Sequence, residues 1–182
     1  FKYMFYRKGM VYMVHNITQT EWEEEMAVKI LGFTRNQLYL ELRFMDIALS
    51  GLIWKSDNTI DTMAVDGDYL YYSREQLFRV FKSNSRFLSR LYLHGILHCI
   101  YGHLWLCGGR SRVLWDIACD IVTEYTIDSM DKPGLKRPLS FIRQQLYKEI
   151  KDTGKAVSAP VVYNKLMEMD ISSIEKLQRE FY

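Results

Sequence analysis

No charge of one sign dominates this sequence: 24 Lys and Arg stand against 22 Asp and Glu, a formal charge of +2. That balance is far short of the basic excess that marks a nucleic-acid partner. There is no Cys-x-x-Cys pair. The three cysteines, Cys99, Cys107 and Cys119, lie in apolar, helical-looking stretches and read as reduced thiols of a cytoplasmic protein. The longest apolar run, Leu91 to Cys107, carries three histidines and offers no clean span of ~20 residues, so no membrane helix is expected. The opening FKYMFYRKGMVYMVHN lacks a signal peptide's order of basic, apolar and small residues. No G-x-S-x-G occurs, and GGRS at 108–111 lacks the lysine and spacing of a phosphate loop. The 13 tyrosines, without a basic surplus, read as core and hairpin packing and not as a base-stacking platform.

What is present fits one domain over residues 1–182, 48% hydrophobic and 25% charged. Thr18 or Thr20 can cap a helix through EWEEEMAVKIL, with Gly32 as its stop. From Thr34, the apolar spacing Leu38, Leu42, Met45, Ala48, Leu49, Leu52, Ile53 predicts a second, long core helix. TMAVDGDYLYYS then alternates around Asp66-Gly67, the one convincing hairpin. Helices resume after Ser73 and run through LYLHGILHCIYGHLWLC to Gly108-Gly109; SRVLWDIACDIVTEYTIDSM forms the next, closed by DKPGLKRP. The tail adds helices in SFIRQQLYKEIKD, APVVYNKLMEMD and SSIEKLQREFY. The fold class expected is α+β and predominantly α-helical, with a core over about residues 18–130 and a helical extension over about 139–182.

His94 and His98 lie four apart, so on a helix both imidazoles project from one face and can grip one ion. A zinc site adds a third ligand from elsewhere. Asp116, Asp120 and Glu124 form an acidic stripe on the next helix, and a helix hairpin around Gly108-Gly109 could set it against the histidines. The bland alternative is a hydrogen-bonded His/Asp core cluster without metal. Imidazoles and carboxylates in such apolar helices need partners, and one zinc ion would serve all of them. His103, nine residues after His94, falls about 180° away on an ideal helix. It is a poor third ligand unless the helix breaks at Gly102, and reads as a residue supporting the ligands or lying at the surface. Cys119 reads as core and His15 as structural.

LHGILHCIYGH followed by WDIACD resembles a bacterial metallopeptidase domain usually found ahead of a von Willebrand factor A-like domain, with patterns like LHEVLHxxxGH and WNxAxD. AVDGDYLYYS is similar to that family's strand before the metal helix, so the resemblance spans roughly residues 25 to 130. It implies a zincin-like fold, one bound zinc, a peptide or protein substrate or partner, and a von Willebrand A-like domain following in a longer parent chain. By position, His94 and His98 match the ligand histidines and Asp120 the acidic ligand. Asp116 stands where asparagine is common, and Gly95 stands where the glutamate should be. In a zinc hydrolase that glutamate takes the proton of the metal-bound water and hands it to the leaving amine. Glycine can do neither.

Three functions follow as expectations. The first is a zinc-binding metallopeptidase-family domain impaired by Gly95; the second is an active peptidase in which Glu124 or Asp116 replaces the base. The third is a non-enzymatic α-helical interaction module with a metal-free His/Asp core. Neither nucleic acid nor membrane is expected as a partner.

Overall fold

The computed structural model describes residues 4–7, 10–13 and 18–181; His15 lies outside them. Strands β1 (Met4–Arg7) and β2 (Met10–Met13) pair antiparallel. Helix α1 (Gln19–Glu41) starts at a capping box, in which the Thr18 hydroxyl accepts from the Glu21 amide and the Glu21 carboxylate accepts from the Thr18 amide. The expected stop at Gly32 does not occur. The Trp54 ring packs over Gly32, and the Thr34 hydroxyl, instead of capping a new helix, donates to the Ile30 carbonyl inside the same one.

The long helix expected from Thr34 to Trp54 is broken into the end of α1, a 3-10 turn (Arg43–Met45), the short α2 (Asp46–Ser50) and strand β3 (Ile53–Ser56). The inward positions survive the breaks: Leu38, Leu42, Met45, Leu49 and Leu52 are all buried, because a 3-10 turn preserves the three-to-four spacing. Ile53, in contrast, is exposed. A hydrogen-bond relay holds β3 to the core, Trp54 Nε1 donating to the Tyr92 hydroxyl (3.0 Å) and that hydroxyl to the Leu49 carbonyl (2.9 Å).

The hairpin around Asp66-Gly67 forms as expected, with β4 (Met63–Val65) antiparallel to β5 (Tyr69–Tyr72) in the register Val65 opposite Leu70. It is not the only strand pair, since β1 pairs with β2 and β3 adds parallel to β5. The three-stranded sheet has the order β3-β5-β4, which leaves β4 at an edge, against the helix that follows.

That helix, α3 (Arg74–Ile100), carries a break at Asn84 and ends earlier than expected. The His103 amide bonds the His98 carbonyl and the Gly102 amide the Cys99 carbonyl, with Gly102 at φ +67°. This is a Schellman stop, which needs a left-handed residue that glycine supplies without strain.

Helix α4 (Arg112–Ser129) packs against α3. Beyond it come α5 (Phe141–Asp152), α6 (Ala159–Met167) and α7 (Ile171–Phe181); α6 and α7 fold back onto α4, and α5 packs on α7 and reaches α4 through Arg143 and Tyr147. A second apolar cluster results, in which Trp115, Ile121 and Val122 of α4 meet Leu146, Val162, Leu166 and Leu177. The molecule is predominantly helical with a small sheet. No helix among the described residues is long and apolar enough to cross a membrane.

Candidate metal centre

Helices α3 and α4 face each other along a polar ladder set in apolar surroundings. At one end Arg90 meets Asp128 and Glu124; in the middle His94 meets Glu124 and Asp120; at the other end His98 meets Asp120. The residues repeat every four positions on both helices, so each rung lies about one turn from the next.

Three atoms converge at one point of the ladder. His94 Nε2 and His98 Nε2 are 2.9 Å apart, and each is 3.2 Å from Asp120 Oδ1. Ligands about 2.0–2.1 Å from a tetrahedral zinc lie roughly 3.3 Å from one another, so this triangle is the size of one face of such a site. The donor set fits zinc, with two imidazoles and a carboxylate from two helices and the fourth direction left to the adjoining cleft.

The other nitrogen of His94 supports this arrangement. Nδ1 donates to Glu124 Oε1 at 3.0 Å, which leaves Nε2 as the nitrogen that would give its lone pair to an ion, as in the carboxylate–histidine pairs that orient metal ligands. Glu124 is itself gripped: its Oε2 accepts from Arg90 Nε (3.2 Å), Arg90 Nη2 (2.7 Å) and Arg143 Nη1 (2.7 Å). Burial pushes the Glu124 carboxyl up, but the bond to His94 and the Arg90 charge outweigh it and hold Glu124 at about 2. Asp120 is likewise held low by the two histidines against its burial. In the metal-free state His94 is lifted to about 9, since its bonds to Asp120 and Glu124 overcome the opposing effect of burial.

The remaining expected residues divide. Asp116 lines the cleft one turn before Asp120 but is ion-paired to Arg112 (2.9 Å) and partly exposed. His103 is not at the surface. The Schellman stop swings it back so that its ring meets His98 edge-on at 5.0 Å and Trp115 at 6.4 Å, with Nδ1 buried and unpartnered among the described residues. Burial and the neighbouring His98 hold His103 at about 4, so it is a neutral imidazole packed behind His98. Cys119 is buried core, its thiol pushed up to about 12 by burial and by Asp120.

Gly95 turns its missing side chain toward β4, where an added Cβ would meet Val65 Cγ1 at 3.0 Å. The edge strand therefore sits closer to α3 than a side chain at position 95 comfortably allows. Thr62 to Val65 line, with Phe87, Leu91 and the His/Asp triad, a cleft of about 450 Å³.

Sequence reasoning missed the residues that brace the ladder: Arg90, Asp128, Arg143, Tyr147 and Glu180. Arg143 Nε donates to Glu180 Oε1 (2.9 Å) and its Nη2 to the Glu180 carbonyl (2.9 Å), while the Tyr147 hydroxyl donates to Asp128 Oδ2 (2.9 Å). Arg90 and Asp128 were within reach, because they extend the two stripes by one turn. Arg143, Tyr147 and Glu180 come from α5 and α7, and no local spacing announces them. Comparison with protein-family models, with curated proteins and with solved structures matches this chain to none of them.

Proposed function

We propose that this chain is a zinc-binding, zincin-like domain of metallopeptidase type, impaired in catalysis because Gly95 occupies the place of the general base, and that it holds an extended peptide beside β4. The single observation that carries the reading is the triangle of His94 Nε2, His98 Nε2 and Asp120 Oδ1, backed by Glu124 on the far nitrogen of His94.

In this reading His94, His98 and Asp120 hold the ion, and Glu124 fixes the tautomer and plane of His94. When bound, zinc supplies Lewis-acid polarisation of a carbonyl and acidifies water. The edge strand β4 offers its unpaired backbone groups to an extended chain, the usual mode of strand addition. Gly95 brings no proton acceptor to the cleft. Both Glu124 oxygens are engaged by His94, Arg90 and Arg143, which removes the freedom a substitute base needs.

A second reading is favoured by one observation. Asp116 lines the cleft and, among the described residues, is held only by the exposed Arg112, so turnover by a non-standard base would run through Asp116. Asp116→Asn would then abolish cleavage without releasing zinc.

Elemental analysis of protein exposed to zinc and desalted without chelator tests the main reading. About one equivalent is expected, lost in His98→Ala. Clearly substoichiometric zinc would leave the metal-free alternative, in which a second proton on His94 joins the same three atoms.

A further inference from the structure

Three arginines surround Glu124, and one of them is not spent. Arg90 bonds Glu124, Asp128 and the Leu135 carbonyl; Arg143 bonds Glu124 and both the side chain and backbone of Glu180. Both are almost fully buried. Arg137, in the segment between α4 and α5, makes no hydrogen bond to any described residue. Its one ion pair among the described residues is loose, Nη2 standing 3.4 Å from Glu124 Oε2, and its Nε is buried without a partner among them.

Glu124 cannot absorb it. Each carboxylate oxygen has two lone pairs, and Oε2 already receives three N–H groups from Arg90 and Arg143. The Arg137 side chain is 29% exposed and lines the same cleft as His94, His98 and Asp120. A guanidinium with open donors beside a candidate metal centre is built to receive an anion in a two-bond fork.

We propose that Arg137 is the carboxylate receptor of this cleft, holding the free C-terminal carboxylate of a bound peptide. The inference rests on the peptide-binding reading above and names its substrate class. A carboxylate suits the site better than a dianion, because Asp120, Glu124 and Glu180 line the same space. Phe87, Leu91 and Phe181, with Phe181 stacked on Arg143 at 4.1 Å, give an apolar wall for the terminal side chain.

The experiment is calorimetric titration of the zinc-loaded and the metal-free protein with acetyl-Phe-Phe as the free acid, as its C-terminal amide, and with the amide acetyl-Phe-Glu. The acid is expected to bind about tenfold or more tighter than the plain amide, the scale of a charge-assisted pair. Arg137→Met should reduce the acid to the level of the amide, and Arg137→Lys should keep part of the preference. Circular dichroism confirms that each variant is folded. Equal binding of acid and amide, no binding of the acid at millimolar concentration, or an undiminished preference in Arg137→Met overturns the proposal. Tight binding of the Glu-containing amide supports the receptor and overturns the terminal source of the carboxylate. The two readings fail separately: acid preference without zinc uptake sinks only the metal centre, and zinc uptake without acid preference sinks only Arg137.

Discussion

Val65 on β4 packs against Gly95 on α3 so closely that a Cβ on residue 95 would lie 3.0 Å from its Cγ1. In the proposed reading Gly95 therefore does more than omit a base; it lets the edge strand settle onto α3, which offsets the ~1 kcal/mol that glycine costs a helix relative to alanine. Restoring the glutamate alone should strain this contact and lower stability by about 1–3 kcal/mol, the range for overpacked cores. Gly95→Glu combined with Val65→Ala should recover the loss in urea unfolding. The same double variant should cleave unfolded casein about 10²–10⁴-fold faster than the parent, the usual worth of a general base. Equal rates in parent and double variant would show that something other than the missing carboxylate limits the chemistry.

The ligand triangle makes a graded prediction for zinc affinity, measured by competition with a chromophoric chelator. On the proposed reading His98→Ala and Asp120→Ala each remove a zinc ligand and should abolish stoichiometric binding. Glu124→Gln keeps all three ligands but weakens the grip on His94 Nδ1, and should cost about 10–100-fold. His103→Phe keeps the edge-on packing against His98 and should leave affinity within a few-fold. A loss with His103→Phe as large as with His98→Ala would make His103 a ligand.

How much of this was legible in the sequence depends on the range of each interaction. The α3–α4 ladder was readable because both stripes follow helical spacing and a glycine-containing link joins the two helices, although the stop falls at Gly102 and not at Gly108-Gly109. The hairpin was readable from Asp66-Gly67. The path from Thr34 to Ser56 was not, since Leu38, Leu42, Met45, Leu49 and Leu52 keep a helical rhythm while the backbone leaves the helix. What decides there is tertiary: Trp54 is drawn onto Tyr92 and Gly32 by a sheet whose partner strand lies further along the chain. The tail was read as an extension, yet it supplies Arg143 and Glu180. Their pairing is visible only once α5 and α7 lie on α4.

Acidity should act on the metal-free protein from both sides. Glu124 is at about 2 in the fold against an ordinary 4.5, so its contribution is complete above 4.5 and is lost as pH falls through 2. His94 is raised from 6.5 to about 9, so the stability from its proton is complete below 6.5 and is lost as pH rises through 9. His103, held at about 4 against an ordinary 6.5, takes stability away as pH falls from 6.5 toward 4, so urea unfolding of chelator-treated protein should show a maximum near pH 6.5. Glu124→Gln should flatten the acid limb. A parent protein equally stable at pH 3 and pH 6 would contradict the buried charge pairing.

Arg143 ties the tail to the centre, because the guanidinium that holds Glu124 is itself held by Glu180. Removing α7 by ending the chain at Asp170 strips Leu177 and Phe181 from the second core and both Glu180 acceptors from Arg143. Arg143→Met tests the charge alone: leaving Glu124 and Glu180 without it should cost about 3–5 kcal/mol, as breaking buried pairs does. The shortened chain should lose at least as much. It should also bind zinc more weakly than the full chain even where it remains folded, because Arg143, released by Glu180, holds Glu124 less firmly against His94. Unfolding midpoints and chelator competition on the same preparations separate the two effects. A shortened chain with unchanged midpoint and unchanged zinc affinity would return the tail to the status of an appendage and confine the centre to α3 and α4.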